Sequence, residues 1–190
     1  MFLAHRPTPH EIERFLDASR ALPLSYAPAG LAHAGATGFR VDEQVVRVGV
    51  GDAAFSRAMT ALAEWRHFEL GWVELFPRRA AVAGGTVVAV AIRHFGFWSL
   101  NGCRVLYETG DGATGWGFAY GTLTNHAECG EEMFEIGLDP ATGDVTYRIR
   151  AVSRPRAVLA RVGHPLTRML QARFRRDSAR AVRLAVEARR

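Results

Sequence analysis

The sequence predicts an α+β fold in which a curved antiparallel sheet of about six to seven strands packs against a long carboxy-terminal helix. Three observations support this fold class. The segment Gly71 to Val152 is a succession of strands punctuated by glycine, two of these strands alternate cleanly between two faces, and an amphipathic helix starting at Pro165 closes the chain. The length of 190 residues suits one domain, with a helix and loop over residues 1–40 and the core over 41–190.

The first elements are a short helix and a loop. Ile12, Phe15 and Leu16 recur at helical spacing within His10–Leu22, and Pro23 ends the pattern. A loop rich in glycine, alanine and proline then extends from Ser25 to about Phe39.

A strand and a helix follow the loop. The β-branched residues of Val41–Val50 predict the strand, and Asp52 is a suitable N-cap for a helix from Ala53 to about Trp65. The junction Gly49-Val-Gly51-Asp-Ala-Ala54 matches the residue pattern of a dinucleotide-binding fingerprint. No alternation of helices and strands follows, however, so a capped strand-to-helix turn is the better interpretation.

Six further strands are predicted from β-branched and aromatic residues bounded by turn residues: Trp72–Phe76, Thr86–His94, Trp98–Thr109, Gly115–Thr122, Glu132–Leu138 and Val145–Val152. In the strand from Gly115, one face carries Trp116, Phe118 and Tyr120, and the other carries only glycine and alanine. We therefore expect a sheet with one buried face.

The hairpin Gly115–Leu138 is predicted to be antiparallel, with Phe118, Tyr120, Phe134 and Ile136 facing the terminal helix. Because side chains alternate along a strand, Glu132 must face the same side as Phe134. We therefore expect this carboxylate close to Tyr120 or Thr122, at the edge of an apolar surface.

The carboxy-terminal region carries most of the positive charge. After a short helical turn near Arg156 to Val162, the helix from Pro165 presents an apolar stripe that includes Leu166, Leu170 and Phe174. From Arg154 to Arg190 there are 11 Arg against two acidic residues, a net +9, whereas the rest of the chain carries −4. This asymmetry permits nucleic-acid or anionic-surface binding, but it also suits the solvated face of an amphipathic helix, and no aromatic stacking platform accompanies the arginines.

Composition excludes several functions. The chain has no lysine, which rules out a P-loop and Schiff-base chemistry. No stretch approaches the roughly 20 apolar residues of a membrane-spanning helix, and the amino terminus lacks the apolar centre of a secretion signal. Cys103 and Cys129 form no metal-binding pattern, so we expect two buried thiols, a cytoplasmic protein and no cofactor.

The densest polar cluster lies between Tyr120 and Phe134. His126-Ala-Glu128 matches the first half of a zinc deaminase motif, but the cysteine pair of that motif is absent. A metal held by His126, Cys129 and a carboxylate is a minor alternative to a polar hairpin loop. Glu132 is either a buried hydrogen-bond partner or an acid or base whose pKa burial raises.

At this cluster the sequence resembles a family of bacterial and plant proteins, domain of unknown function 1990. The resemblance rests on Gly117-Phe-Ala-Tyr-Gly-Thr-Leu123, His126, Gly130-Glu-Glu132, Phe134 and Ser153-Arg-Pro155, with support from Trp65, Gly71-Trp72, Asn101 and Gln171. Thr124-Asn125 and Met133 depart from the usual pattern. The family is similar to the START and birch-pollen-allergen superfamily, whose helix-grip fold often encloses an apolar ligand. The resemblance implies this fold and supplies no activity.

The leading hypothesis is therefore a protein that binds a small, largely apolar molecule in a cavity between the sheet and the terminal helix. Its polar anchors are predicted to be Tyr120, Thr122, His126 and Glu132, with Trp98 and Asn101 as further candidates. The alternative is an enzyme, hydrolase- or cyclase-like, in which Glu132 or His126 is the acid or base and Tyr120 a hydrogen-bond donor. The sequence leaves the ligand, any reaction and the oligomeric state open.

Overall fold

The computed structural model describes residues 1–155 and 164–188. A two-residue strand β1 (Phe2–Leu3) precedes helix α1 (Pro9–Arg20), the short helix α2 (Leu31–Ala34), strand β2 (Arg40–Val50) and helix α3 (Asp52–Ala63). A single 3₁₀ turn at Arg66–Phe68 leads into the remaining strands: β3 (Val73–Phe76), β4 (Val87–His94), β5 (Phe97–Gly110), β6 (Gly115–Thr122), β7 (Glu128–Leu138) and β8 (Asp144–Pro155). Helix α4 (His164–Glu187) follows.

The strands form one antiparallel sheet in the order β2-β8-β7-β6-β5-β4-β3, with β1 paired to β5. Each strand from β3 to β8 pairs with its neighbour in sequence, and β2 closes the order on β8. Helices α3 and α4 pack on one face, which we call the concave face. The predicted α+β class, the seven main strands and the long final helix are confirmed.

Several predicted details were wrong or lie outside the described residues. Strand β7 starts four residues before the expected Glu132, and the loop after Ser25 contains α2. The N-cap of α3 is Gly51, with φ 78°, in the left-handed region that favours glycine, and Asp52 is the first helical residue. The turn expected near Arg156 to Val162 lies outside the described residues.

The predicted hairpin is confirmed. Phe118 pairs with Phe134 and Tyr120 with Glu132 across β6 and β7, and both phenylalanine side chains are fully buried. They belong to the main core, which also contains Tyr147 of β8 and residues of α3 and α4, including Leu62, Val182 and Val186. The long apolar stripe of α4 is therefore matched by the stripe on the sheet.

The expectation of a single buried face is wrong for this hairpin. Ala119 and Met133 on the convex face are buried against Ala32 of α2. Next to them the buried carboxylate of Glu131 accepts hydrogen bonds from the Tyr26 hydroxyl at 2.7 Å and from the backbone N–H groups of residues 30 and 32 at 2.7 and 2.9 Å. The small residues of β6 thus make room for the amino-terminal segment.

Candidate functional site

The central feature of the concave face is a hydrogen-bonded pair of Tyr120 and Glu132. The two residues are direct partners in the register of β6 and β7, and the Tyr120 hydroxyl donates to Glu132 Oε2 at 2.7 Å. Tyr120 is buried, while Glu132 keeps a partly accessible surface. The structure therefore brings together two of the predicted anchors, in the geometry that the strand pattern implied.

The surroundings of Glu132 favour its protonated form. Burial raises the pKa of Glu132 and nearby Glu128 raises it further, whereas the Tyr120 hydrogen bond and Arg175 lower it. The resulting pKa is about 7. Burial also raises the pKa of Tyr120 and of the Cys103 thiol well above their usual values, with a further contribution from Glu132 in each case. Glu132 is thus the group in this cluster that exchanges a proton near neutral pH.

A second carboxylate, Glu128, connects the sheet to α4. Both of its oxygens accept from Gln171 Nε2, at 3.0 and 2.8 Å, and burial raises its pKa. Arg175, one turn further along the helix, lies 3.9 Å from Asp42 of β2. The first half of α4 is therefore fixed to the sheet by polar contacts close to Glu132.

Asn101 and His126 both accept hydrogen bonds from backbone N–H groups where the loop between β6 and β7 enters β7. The Asn101 side-chain oxygen accepts from the Ala127 N–H at 3.3 Å, and His126 Nδ1 accepts from the Glu128 N–H at 2.9 Å. Alternation along β5 places Asn101 on the same face as Cys103, which belongs to the main core. These two candidates hold the loop that leads into Glu128.

Thr122 and Trp98 have different surroundings. The Thr122 hydroxyl is 2.6 Å from the Ser25 hydroxyl and accepts from the Gly130 N–H at 2.9 Å, so it fixes the end of the hairpin. Trp98 packs with Ile12 and Phe15 of α1, on the opposite face of β5 from Cys103. Thr122 thus follows Tyr120 on the same face of β6, whereas Trp98 lies on the opposite face of the sheet from Tyr120 and Glu132.

The sequence reasoning missed His67. Its imidazole is fully buried against the concave face, with ring centroids 4.6 Å from Phe134 and 4.7 Å from Phe68. Neither ring nitrogen has a hydrogen-bond partner within the described part of the chain, and burial lowers the pKa of His67 to about 3. Its position between Trp65 and Phe68 at the end of a helix is the only signal that the sequence offers.

Two clefts open on the outside of the molecule. One of about 420 Å³ lies beside the 3₁₀ turn and is lined by residues that include Arg6, Glu74 and Arg78. The other, of about 230 Å³, is lined by residues of β2, β6, β7 and β8 that include Trp116. Neither cleft is lined by Tyr120 or Glu132.

Residues 1–155 and 164–188 contain no group of three or more His, Cys, Asp or Glu arranged to hold a metal ion.

Several arginines of α4 have partners within the protein. Arg173 lies over the Trp72 ring at 4.4 Å, Arg176 contacts Asp177 at 3.0 Å, and Arg183 donates to a backbone carbonyl of β2 at 3.0 Å. These contacts account for part of the positive charge without a nucleic acid. No helix of the described residues has the length and apolar character needed to cross a bilayer.

Comparison with known proteins gives consistent matches. A family model described as domain of unknown function (DUF1990) matches residues 25–181. A UPF0548 protein of Deinococcus radiodurans is 37% identical over 194 residues, covering 95% of this chain and 96% of the relative. A UPF0548 protein of Dictyostelium discoideum is 30% identical over 207 residues, covering 98% and 96%.

Among solved structures, a START superfamily protein from Mycobacterium smegmatis superposes with a TM-score of 0.52 at 13% identity, covering 79% of this chain and 98% of that protein. At this level of identity the match shows the fold. The curved sheet packed against a carboxy-terminal helix is thus the helix-grip fold that the two proteins share.

Proposed function

Because this chain belongs to the DUF1990 family and has the helix-grip fold, we propose that it binds a small, largely apolar molecule between the curved sheet and α4. The observation that carries the proposal is the Tyr120–Glu132 pair. A hydroxyl and a carboxyl group hydrogen-bonded at 2.7 Å stand on a concave face that is lined mainly by aromatic and aliphatic side chains. A few polar groups on an apolar wall are typical of sites that orient a small ligand.

Aromatic rings fill the space beside this pair. Phe134 and Phe68 are buried, and Phe174 of α4 lies 5.1 Å from Phe68 between ring centroids. A ligand that reaches Tyr120 must therefore displace part of this cluster. We expect binding to change the near-ultraviolet circular dichroism of the protein, because the aromatic packing changes with it.

Native mass spectrometry of the purified protein, before and after incubation with a total lipid extract, tests the proposal directly. We expect a retained mass in the wild type and a reduced fraction bound in Tyr120→Phe, which loses the hydroxyl that contacts Glu132. Phe97→Ala is the matched control, since Phe97 is exposed on β5. Absence of any retained molecule from both samples, together with unchanged circular dichroism, contradicts ligand binding.

Ionisation of Glu132 should also reduce the free energy of unfolding at alkaline pH. Glu132 has a pKa of about 7 in the folded state, against an ordinary value of 4.5, so folding stability is complete below pH 4.5 and decreases as the pH rises towards 7. Since the side chain is partly accessible, we expect the loss to be about 2 kcal/mol, below the full value for this shift. Glu132→Gln should therefore raise the free energy of unfolding by about 2 kcal/mol at pH 8, and much less at pH 4.5.

Urea unfolding of the wild type and Glu132→Gln at the two pH values measures this difference. Glu131→Gln is the contrast, because Glu131 receives several hydrogen bonds from the amino-terminal segment. A Glu132→Gln variant that is less stable than the wild type at pH 8 would show that the ionised carboxylate holds the interior together. The pair would then have a structural role instead of a ligand-binding one.

A second candidate function is an enzyme at the same site. The specific observation is that the pKa of Glu132 is raised to about 7, where a carboxyl group can donate or accept a proton at neutral pH. If the protein transforms the molecule recovered by mass spectrometry, the rate should follow the protonation of Glu132 and be lost in Glu132→Gln. A rate that is unchanged in that variant excludes this carboxyl group as the acid or base.

We also propose that the protein acts in the cytoplasm. The support is that Cys103 and Cys129 are both buried as free thiols, as is usual in a reducing compartment. Fractionation of cells that express the native protein tests this location.

A further inference from the structure

His67 is an unusual residue for the centre of a core. Its side chain has no accessible surface, and five aromatic rings surround it, those of Trp65, Phe68, Phe118, Phe134 and Tyr147, with centroids 4.6 to 6.3 Å away. Neither Nδ1 nor Nε2 has a hydrogen-bond partner among the residues of 1–155 and 164–188. Among these five rings only Tyr147 carries a hydroxyl, and that hydroxyl is hydrogen-bonded to the Ser178 hydroxyl at 2.6 Å.

An unsatisfied polar group in such a place is costly. Leaving a buried donor or acceptor without a partner costs about 1–3 kcal/mol. A phenylalanine or leucine would fill the same space without this cost. The imidazole is therefore best explained by a partner from outside the described residues, and a bound ligand can be that partner.

We propose that His67 is the second polar contact of the ligand, and that this ligand is a neutral, largely apolar molecule bearing a hydroxyl group. The inference rests on the proposed function, whose site shares this interior. A neutral imidazole has one N–H donor and one acceptor nitrogen, and a hydroxyl group can serve either of them. A charged ligand group would lose its hydration without an opposite charge among the surrounding aromatic rings.

The geometry connects this contact to the Tyr120–Glu132 pair. The Phe134 ring lies between the two, with its centroid 4.6 Å from that of His67 and 5.5 Å from that of Tyr120. A molecule that occupies the place of the neighbouring aromatic side chains can therefore lie along Phe134. It would carry its hydroxyl at the His67 end and meet the carboxyl group at the other.

Two probes of the same shape test the inference: 2-naphthol, and 2-methylnaphthalene, which has a methyl group in place of the hydroxyl. Isothermal titration calorimetry at pH 7 should show that the wild type binds 2-naphthol about tenfold more tightly, as expected for one satisfied hydrogen bond in a buried site. His67→Phe should bind both probes equally. His10→Phe is the matched control, because His10 is exposed on α1, and it should keep the preference.

The ring nitrogens provide a second measurement that needs no variant. In protein labelled with ¹⁵N-histidine, 2-naphthol should shift the nitrogen resonances of His67, while 2-methylnaphthalene should shift them much less. If neither probe binds, the proposed function itself is contradicted for this class of molecule. If both bind with equal affinity, or if His67→Phe keeps the preference for 2-naphthol, ligand binding stands and the role of His67 is overturned.

Discussion

Phe134→Ala is expected to lower the free energy of unfolding by about 3–5 kcal/mol, because it removes a fully buried ring from the centre of the core. The Phe134 ring contacts the rings of His67, Phe118, Tyr120 and Phe174, so the cavity would be surrounded by large groups that cannot easily close it. A loss of this size is a large fraction of the stability of an ordinary domain, about 5–15 kcal/mol.

Urea unfolding followed by far-ultraviolet circular dichroism measures the effect. Phe97→Ala is again the control, since Phe97 lies exposed at the start of β5, and we expect it to change stability by less than about 0.5 kcal/mol. If Phe134→Ala were equally mild, the concave face of the hairpin would not be the core. The interior described for the proposed ligand would then be wrong as well.

His67 should make the protein sensitive to acid. Its folded-state pKa of about 3 is far below the ordinary histidine value of 6.5, so the unfolded chain binds a proton below pH 6.5 that the folded protein excludes. The resulting loss of stability begins below pH 6.5 and continues until the pH reaches about 3. It corresponds to about 2–3 kcal/mol by pH 4.5 and about 4–5 kcal/mol near pH 3.

Glu132 opposes this effect over part of the range. As the pH falls from 7 to 4.5, Glu132 takes up a proton in the folded state and stabilises it, while His67 destabilises it. The two contributions to the free energy of unfolding partly cancel in the wild type. Comparing the wild type with His67→Phe isolates the contribution of His67. His67→Phe should therefore gain stability relative to the wild type as the pH falls from 7 to 4.5.

Unfolding of the wild type and His67→Phe at pH 7, 5.5 and 4.5 tests this expectation. The free-energy difference between the two proteins should grow by about 2–3 kcal/mol across the series. A difference that stays constant with pH would show that His67 takes up a proton equally readily in the folded and the unfolded states. Its interior position without a partner would then be incorrect, and the inference about the ligand would lose its basis.

The pattern of side chains was sufficient to predict the sheet and the face of Glu132. Alternation in β6 and β7 placed Phe118, Phe134 and Glu132 on one face and left Tyr120 or Thr122 as the neighbour of Glu132, and the register of the structure selects Tyr120. The amphipathic stripe predicted the final helix and the side on which it packs. These features depend on periodicity along neighbouring strands or along one helix, which a sequence records directly.

Contacts between distant segments have no comparable signature in the sequence. Trp98 was a candidate for the ligand site, yet it packs under α1 because helix α1 covers the convex face of β4 and β5. Glu131 was part of a recognised motif, but its role depends on Tyr26 and the backbone near α2, about a hundred residues away. In each contact, the sequence around either partner does not indicate the other partner.

What the sequence by itself determined is therefore the fold class, the succession of strands along the chain and the face on which Glu132 lies, because local periodicity fixes side-chain direction. Only the tertiary structure decided the environment of each polar group. The pKa of Glu132 is raised because burial removes the carboxyl group from water and Glu128 lies nearby. His67 has no partner among the described residues because aromatic rings of β6, β7 and β8 and of its own turn surround it. Burial and hydrogen bonding are properties of the assembled neighbours, and they follow from how distant segments meet.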